Sequence, residues 1–310
     1  MPENPDKPKK RHPAKPTALQ RLVAEGFFDT PSAALPYLLS GDVFCGTERV
    51  RTGGQRIPPH LPLTVRGLSR RYVSKGGYKL EGAIRDFHID VRNRICIDAG
   101  ACTGGFTDCL IQHGAERVYA VEAGFGQLMG SLRQNPRVVN LERTNLGDEK
   151  LLLLEPMPTL GTVDLSYLSL VKAVPQFRTV LYGHGELVCL VKPLFETESA
   201  NARRTGNITP EDYAPLLIRL IDALSAQKGT EVCGLTHSHV TGNHGTHEFF
   251  LHVRFTGNTT STDEAAIQTG ITGQAHQTNQ TGQTCQISTN WNITAQEAVR
   301  QALALPLYEK

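Results

Sequence analysis

The 310-residue chain contains no apolar run near the roughly eighteen residues that a membrane-crossing helix needs, so a spanning helix is not expected. Its first residues, "MPENPDKPKKRHPAKP", carry no apolar core segment, so no secretory signal is expected either. Charge of one sign is also scarce in excess: the formal net charge is +2, which does not announce a nucleic-acid binder and does not exclude a modest basic surface. No Cys-x-x-Cys pair occurs among the seven cysteines, and their number is odd. Irregular spacing of Cys45, Cys96, Cys102, Cys109, Cys189, Cys233 and Cys285 excludes a zinc knuckle and argues against a disulfide framework. Several of them sit inside apolar runs, where cysteine behaves as a small hydrophobe. A reduced, cytoplasmic protein is expected.

What is present is enough apolar residue, 39% of the chain, for a sizeable core and for more than one domain. Residues 1–16 read as a disordered basic arm rich in Pro, Lys and Arg. Residues 17–67 read as a small α+β module. Leu19, Leu22 and Val23 have helical spacing, and Thr30 followed by Pro31 opens a second helix that ends at Gly41. Short strands near 42–45 and 63–65 flank the turn "RTGGQR". Two short helices and a small hairpin are the pattern of a compact binding module.

From about residue 94 β-branched runs alternate with helical patterns: "RICIDAG", a helix over 106–112, "RVYAVEAG", a helix over 127–133, "RVVNLE", "GTVDLS", a helix over 170–180, "ELVCLVKP", and a helix over 213–226. Two last strands, "TEVCGLTHS" and "HEFFLHVRF", have no helix between them and must pair as a hairpin. The rhythm predicts an α/β fold over residues 68–256: a parallel sheet with one antiparallel strand at its edge and helices on both faces, as in Rossmann-like methyltransferases. Residues 257–310 are dominated at first by Gln, Thr, Asn and Gly, cannot bury a core, and read as a low-complexity tail with a short last helix capped by Thr294. The whole tail is expected to be dispensable for the fold.

"DAGACTGGFTD" follows a strand and opens a helix, so its glycines let a ligand approach the backbone where the helix N-terminus adds a positive field. The spacing of Gly100, Gly104 and Gly105 departs from the G-x-G-x-x-G of dinucleotide sites and disfavours a dehydrogenase. Asp98 at the strand end would repel a pyrophosphate and suits a cofactor with an amino group, such as S-adenosylmethionine. Glu122, ending the next strand, is placed to accept hydrogen bonds from ribose hydroxyls. Cys102, Thr103 and Phe106 complete the expected cofactor set. Ligands of open parallel sheets sit beyond the carboxyl ends of the strands, where Asp98, Glu122, Asp164 and Lys192 all fall. In "LVCLVKPLFE", Lys192 ends an apolar run and Pro193 stops the strand. Burial of an unpaired ammonium is costly, so the lysine must emerge into the cleft near a carboxylate, either to help deprotonate a hydroxyl or to orient it and stabilise developing oxyanion charge. The alternative is a strand-end lysine reaching solvent.

The stretches "YVSKGGYKLEGAI", "DAGACTGGFTDCLIQHGAERVYAVEAGFGQL", "RVVNLERTN", "DLSYLSL", "LVKPLFE" and "GTHEFFLHVRF" resemble the TlyA family, hemolysin-named ribosomal RNA 2′-O-methyltransferases of the FtsJ-like superfamily, over about residues 17–255. The resemblance implies a Lys-Asp-Lys-Glu tetrad at Lys79, Asp164, Lys192 and Glu248, around the ribose 2′-hydroxyl. Lys75 falls where the family often has arginine, so Lys79 is the better match. S-adenosylmethionine is the implied cofactor, ribosomal RNA or ribosomal subunits the implied partner, and neither metal nor membrane is implied. The module at 17–67 resembles the alpha-L RNA-binding domain, but "DTPSAAL" lacks the arginine that usually opens its second helix, leaving Arg49, Arg51 and Arg56 for phosphates. After "KPLFE" the family's Gly-Lys-Gly-Val-Val segment gives way to "TESANARRTGNIT", whose Arg203 and Arg204 are further candidates for phosphate contact. A catalytically inactive RNA-binding protein on the same fold is the competing reading. A pore former lacks any signal, span or amphipathic basic helix to support it.

Overall fold

A computed structural model describes residues 16–28, 30–58, 61–68, 71–242, 246–257 and 290–305. The basic arm up to residue 15, Cys285 and the Gln/Thr/Asn-rich stretch 258–289 lie outside the described residues.

Helices α1 (Ala18–Ala24) and α2 (Pro31–Ser40) precede a three-stranded sheet of β1 (Val43–Cys45), β2 (Glu48–Arg49) and β3 (Leu63–Val65), ordered β2-β1-β3 and antiparallel throughout. Both helices start on side-chain caps, each worth about 1 kcal/mol. Thr17 and Gln20 form a reciprocal capping box on α1, and the Thr30 hydroxyl accepts from the Ala33 N–H at α2, with Pro31 in the first helical position. Leu22, Ala34, Leu38, Val43, Val50, Ile57, Leu63 and Val65 form a separate small core here. Arg21 is buried beneath it, its guanidinium donating to Pro58 O and Leu61 O and pairing with Glu25.

The larger part begins with α3 (Lys75–Asp86) and holds a seven-stranded sheet: β4 (Ile95–Ala99), β5 (Arg117–Glu122), β6 (Val138–Glu142), β7 (Leu160–Val163), β8 (Gly185–Val191), β9 (Thr230–His237) and β10 (Phe249–Phe255). Its order is β6-β5-β4-β7-β8-β10-β9. The strands β4 to β8 are parallel, and β10 runs antiparallel to both neighbours. The final pair forms the expected antiparallel hairpin. The reversed strand lies one place in from the edge, with β9 outermost. Central strands such as "ICIDA" and "LVCLV" are covered on both faces, which is why they read as continuous apolar runs.

The remaining α-helices among the described residues are α4 (Gly105–Gln112), α5 (Gly130–Arg133), α6 (Leu170–Val180), α7 (Pro193–Glu196), α8 (Ala200–Thr205), α9 (Pro210–Ser225) and α10 (Trp291–Leu303). α3 and α4 cover one face, with Leu80, Ile84, Leu110 and Phe250 in that core. α6, α9 and α10 cover the other, with Phe177, Leu217, Phe249 and Val299.

Three expectations need correction. The helix expected over 127–133 is reduced to Gly130–Arg133: Gln127 to Met129 are not helical, Met129 has ψ 140°, and its N–H donates to Thr103 O. Thr294 does not cap the last helix: Asn290 does, and Thr294 lies one turn inside. That helix is no dispensable tail, since Ala295, Ala298, Val299 and Ala302 are buried in the main core.

Candidate active site

The strands β4, β5, β7 and β8 end on one rim, and the loops that leave them build a cleft in two joined parts. The first, of about 210 Å³, lies against Gly100, Glu122, Gln127, Leu146 and Tyr167. The second, of about 410 Å³, lies against Lys75, Lys79, Phe106, Lys192 and Glu248. Gly100, Cys102, Asp164 and Ser166 border both.

The turn after β4 is shaped by close contacts. Gly100 has φ +85°, and a Cβ there would lie 2.3 Å from the Asp164 carbonyl oxygen, so no other residue fits without moving the β7 loop. At Gly105 a Cβ would lie 2.2 Å from Ser74 Oγ and 3.0 Å from Gly76 Cα, so this glycine lets α3 approach α4 and brings Lys79 to the rim. Cys102, at φ +47°, donates its N–H to Glu122 Oε2 at 3.0 Å, while Gly124 N donates to Oε1 at 2.7 Å. Two N–H groups thus aim the Glu122 carboxylate, which offers about four acceptor positions, and leave it capacity for ligand hydroxyls.

Of the residues expected at a cofactor, Gly100, Cys102, Thr103, Gly105, Phe106 and Glu122 border the cleft. Asp98 and Gly104 do not. Gly104 faces Leu128 and Leu132 in the core. Asp98 is fully buried beneath the turn, its two oxygens accepting from Thr107 Oγ1 at 2.7 Å and Thr162 Oγ1 at 2.9 Å. Burial pushes its carboxyl up to about 6, against the two threonine hydrogen bonds. It braces β4 against α4 and β7 and cannot meet a cofactor amino group.

The four tetrad candidates meet in the second part of the cleft as two lysine–carboxylate pairs. Lys79, on the buried face of α3, places Nζ 2.5 Å from Glu248 Oε2, just before β10. Lys192, in the residue between β8 and α7, pairs with Asp164 in the residue after β7, and its Nζ donates to Ser166 Oγ at 2.8 Å. The first pair is the inner one, with side chains 11% and 7% exposed, against 18% and 26% for Lys192 and Asp164. Burial raises the Glu248 carboxyl above the usual range, and the Lys79 charge opposes that shift. Pro193 stops β8 as expected and opens the helical turn α7.

Other parts of the chain reach the cleft without having been expected there. Ala24 and Glu25, at the end of α1, border its second part, as do Thr241 and Gly242 between β9 and β10. Ser166 and Tyr167, within "DLSYLSL", also border the cleft, and the sequence does not point to either. Ser166 lies in a bend after β7, so strand alternation could not have pointed to it. Arg203 is engaged locally, donating to Thr197 O at 2.9 Å.

Residues 72–255 match the FtsJ-like methyltransferase family. This chain belongs to that family. The matched span of this FtsJ-like methyltransferase holds both lysine–carboxylate pairs, the glycine turn and Glu122. Among curated relatives, the chain is 35% identical over 241 residues, 74% of its length and 87% of theirs, to the 16S/23S rRNA (cytidine-2′-O)-methyltransferase TlyA of Mycobacterium tuberculosis (strain CDC 1551 / Oshkosh). It is 34% identical over 230 residues to hemolysin A of Brachyspira hyodysenteriae, covering 74% of this chain and 95% of that protein. Among solved structures, a candidate hemolysin from Streptococcus thermophilus superposes with a TM-score of 0.64 at 33% identity, over 82% of this chain and 95% of that one.

Proposed function

We propose that the chain transfers a methyl group from S-adenosylmethionine to a ribose 2′-hydroxyl of ribosomal RNA. The observation that carries this reading is the junction of the two cavities: a glycine turn with an aimed carboxylate on one side, and two lysine–carboxylate pairs on the other, sharing Gly100, Cys102, Asp164 and Ser166. The relative that methylates 16S and 23S rRNA supplies the substrate class.

The residues of the first cavity fit the cofactor. Glu122 has acceptor capacity for two ribose hydroxyls, the Gly100 backbone is open to close approach, and Leu146 and Tyr167 offer apolar surface for a base. When bound, S-adenosylmethionine supplies a methyl group on a positively charged sulfur. In the second cavity Lys192, ion-paired with Asp164, orients the hydroxyl and stabilises negative charge growing on its oxygen. Asp164, on the same wall, takes the hydroxyl proton. Lys79 and Glu248 fix the far side of the ribose. These residues would hold the hydroxyl at the junction of the two cavities, and positioning supplies most of the rate.

The module at 17–67 offers the RNA a basic surface. Arg49 and Arg66 lie 5.8 and 5.0 Å from the centre of the Phe44 ring, and Arg49, Arg51, Arg56 and Arg66 are exposed. The reading is tested by replacing Lys192. Lys192→Ala should abolish methyl transfer to ribosomal subunits while S-adenosylmethionine binding, followed by calorimetry, stays near wild type. Transfer at the wild-type rate would remove Lys192 from the chemistry.

A further inference from the structure

Within the proposed methyl transfer, on which this inference rests, the geometry points to Ser166 as a positioning residue that sets the orientation of the Lys192 ammonium. Three observations converge on it. Ser166 Oγ accepts from Lys192 Nζ at 2.8 Å. Asp164 pairs with the same ammonium from two residues earlier in the same loop. Ser166 borders both cavities and is exposed to them, so its hydroxyl stands where the methyl donor and the ribose must meet.

The chemistry of an ammonium gives these contacts a consequence. A lysine has three N–H donors arranged tetrahedrally and no acceptor. A single carboxylate contact leaves the flexible side-chain torsions free to swing the ammonium about that one point. A second partner on another side removes that swing and holds the nitrogen in one place. With Ser166 accepting one N–H and the Asp164 carboxylate ion-paired to the same ammonium, the nitrogen is confined to one place and keeps N–H donors for a substrate oxygen. The hydroxyl that accepts from Lys192 also keeps its own proton for donation into the cleft. Ser166 therefore converts a mobile charge into a directed donor, which is the arrangement that stabilises charge on one oxygen without reorganisation during the reaction.

The other ion pair has a different construction. Lys79 and Glu248 are more deeply buried, and burial itself restricts them. Lys192 and Asp164 are more open to solvent, and a partly exposed pair needs a further contact to stay in one geometry.

The test compares Ser166→Ala and Ser166→Thr with wild type in two measurements. In the first, all three proteins are acetylated at low stoichiometry with acetic anhydride, and labelling of Lys192 is read by mass spectrometry against the exposed Lys228. Ser166→Ala should label at Lys192 several-fold faster, and Ser166→Thr, which keeps the hydroxyl, should match wild type. In the second, Ser166→Ala should lower kcat for methyl transfer by roughly 10- to 100-fold with KM for both substrates little changed, and threonine should restore it. Unchanged Lys192 labelling in Ser166→Ala, with an unchanged melting temperature, would overturn the assignment whatever the activity. Altered labelling together with wild-type protein that transfers no methyl group would instead overturn the reaction and leave the contact standing.

Discussion

At the end of β8, Lys192 leaves an apolar strand with its ammonium held by Asp164 and Ser166. The Asp164 carboxylate and the Ser166 hydroxyl thus decide whether it is a surface charge or part of the chemistry. Replacing it with alanine should cost at least about 100-fold in transfer, the scale seen when a preorganised charge at a reacting oxygen is lost. Asp98 makes the contrasting case: a carboxylate at a strand end with no path to the cleft. Its folded-state pKa is raised from 3.8 to about 6, so the folded protein keeps a proton that the unfolded chain has released across that interval. Its contribution to stability is therefore present below pH about 4 and is lost as pH rises through about 6, a change of about 3 kcal/mol. Urea unfolding of wild type and Asp98→Asn across pH 4 to 7 should show the variant gaining by about that amount as pH rises. A constant difference would mean that Asp98 titrates alike in both states.

Among elements, α10 shows most clearly what composition hides. The stretch before it is polar and repetitive, so the segment read as a tail. Yet Ala295, Ala298, Val299 and Ala302 recur at helical spacing and bury one face in the main core. Ending the chain at residue 289 should lower stability by about 4 kcal/mol, from methyl-group burial alone, and should shift the urea midpoint downward. An unchanged midpoint would show that the helix rests on the sheet without supporting it. The strands, by contrast, were legible, because burial on both faces leaves continuous apolar runs ended by Asp164, Glu122 and Lys192. So were the helices α2 and α6, whose boundaries carry Pro31 with its Thr30 cap and an apolar stripe. What the sequence could not show was direction. Strand-end position placed Asp98 at the cleft, while the hydroxyls of Thr107 and Thr162, distant in sequence, turn it inward. The shortened α5 has the same origin, since the Met129 N–H is tied to Thr103 O, far away in sequence, and the chain enters the helix only after it.

Taken as a whole, the molecule assembles its cleft from three regions distant in the chain. The strand rim supplies the ion pairs, the connection between β9 and β10 supplies Glu248 and Thr241, and the end of α1 supplies Ala24 and Glu25. A substrate filling the second cavity would touch the small N-terminal part as well as the sheet. Removing residues 1–67 should therefore weaken RNA binding and transfer by more than tenfold, while S-adenosylmethionine binding at the first cavity persists. Equal RNA affinity in a filter-binding assay would show that the module is not part of the substrate site. The most direct measurement concerns the bond that is made. Ribosomal subunits lacking the modification are incubated with the protein and S-adenosylmethionine labelled in its methyl group, and the recovered RNA is hydrolysed with alkali. Alkaline cleavage needs a free 2′-hydroxyl, so a ribose methyl group leaves the label in an alkali-resistant dinucleotide. The account predicts label in that fraction with wild type and none with Lys192→Ala. Label recovered only in mononucleotides, as a base methyl group would give, would contradict it.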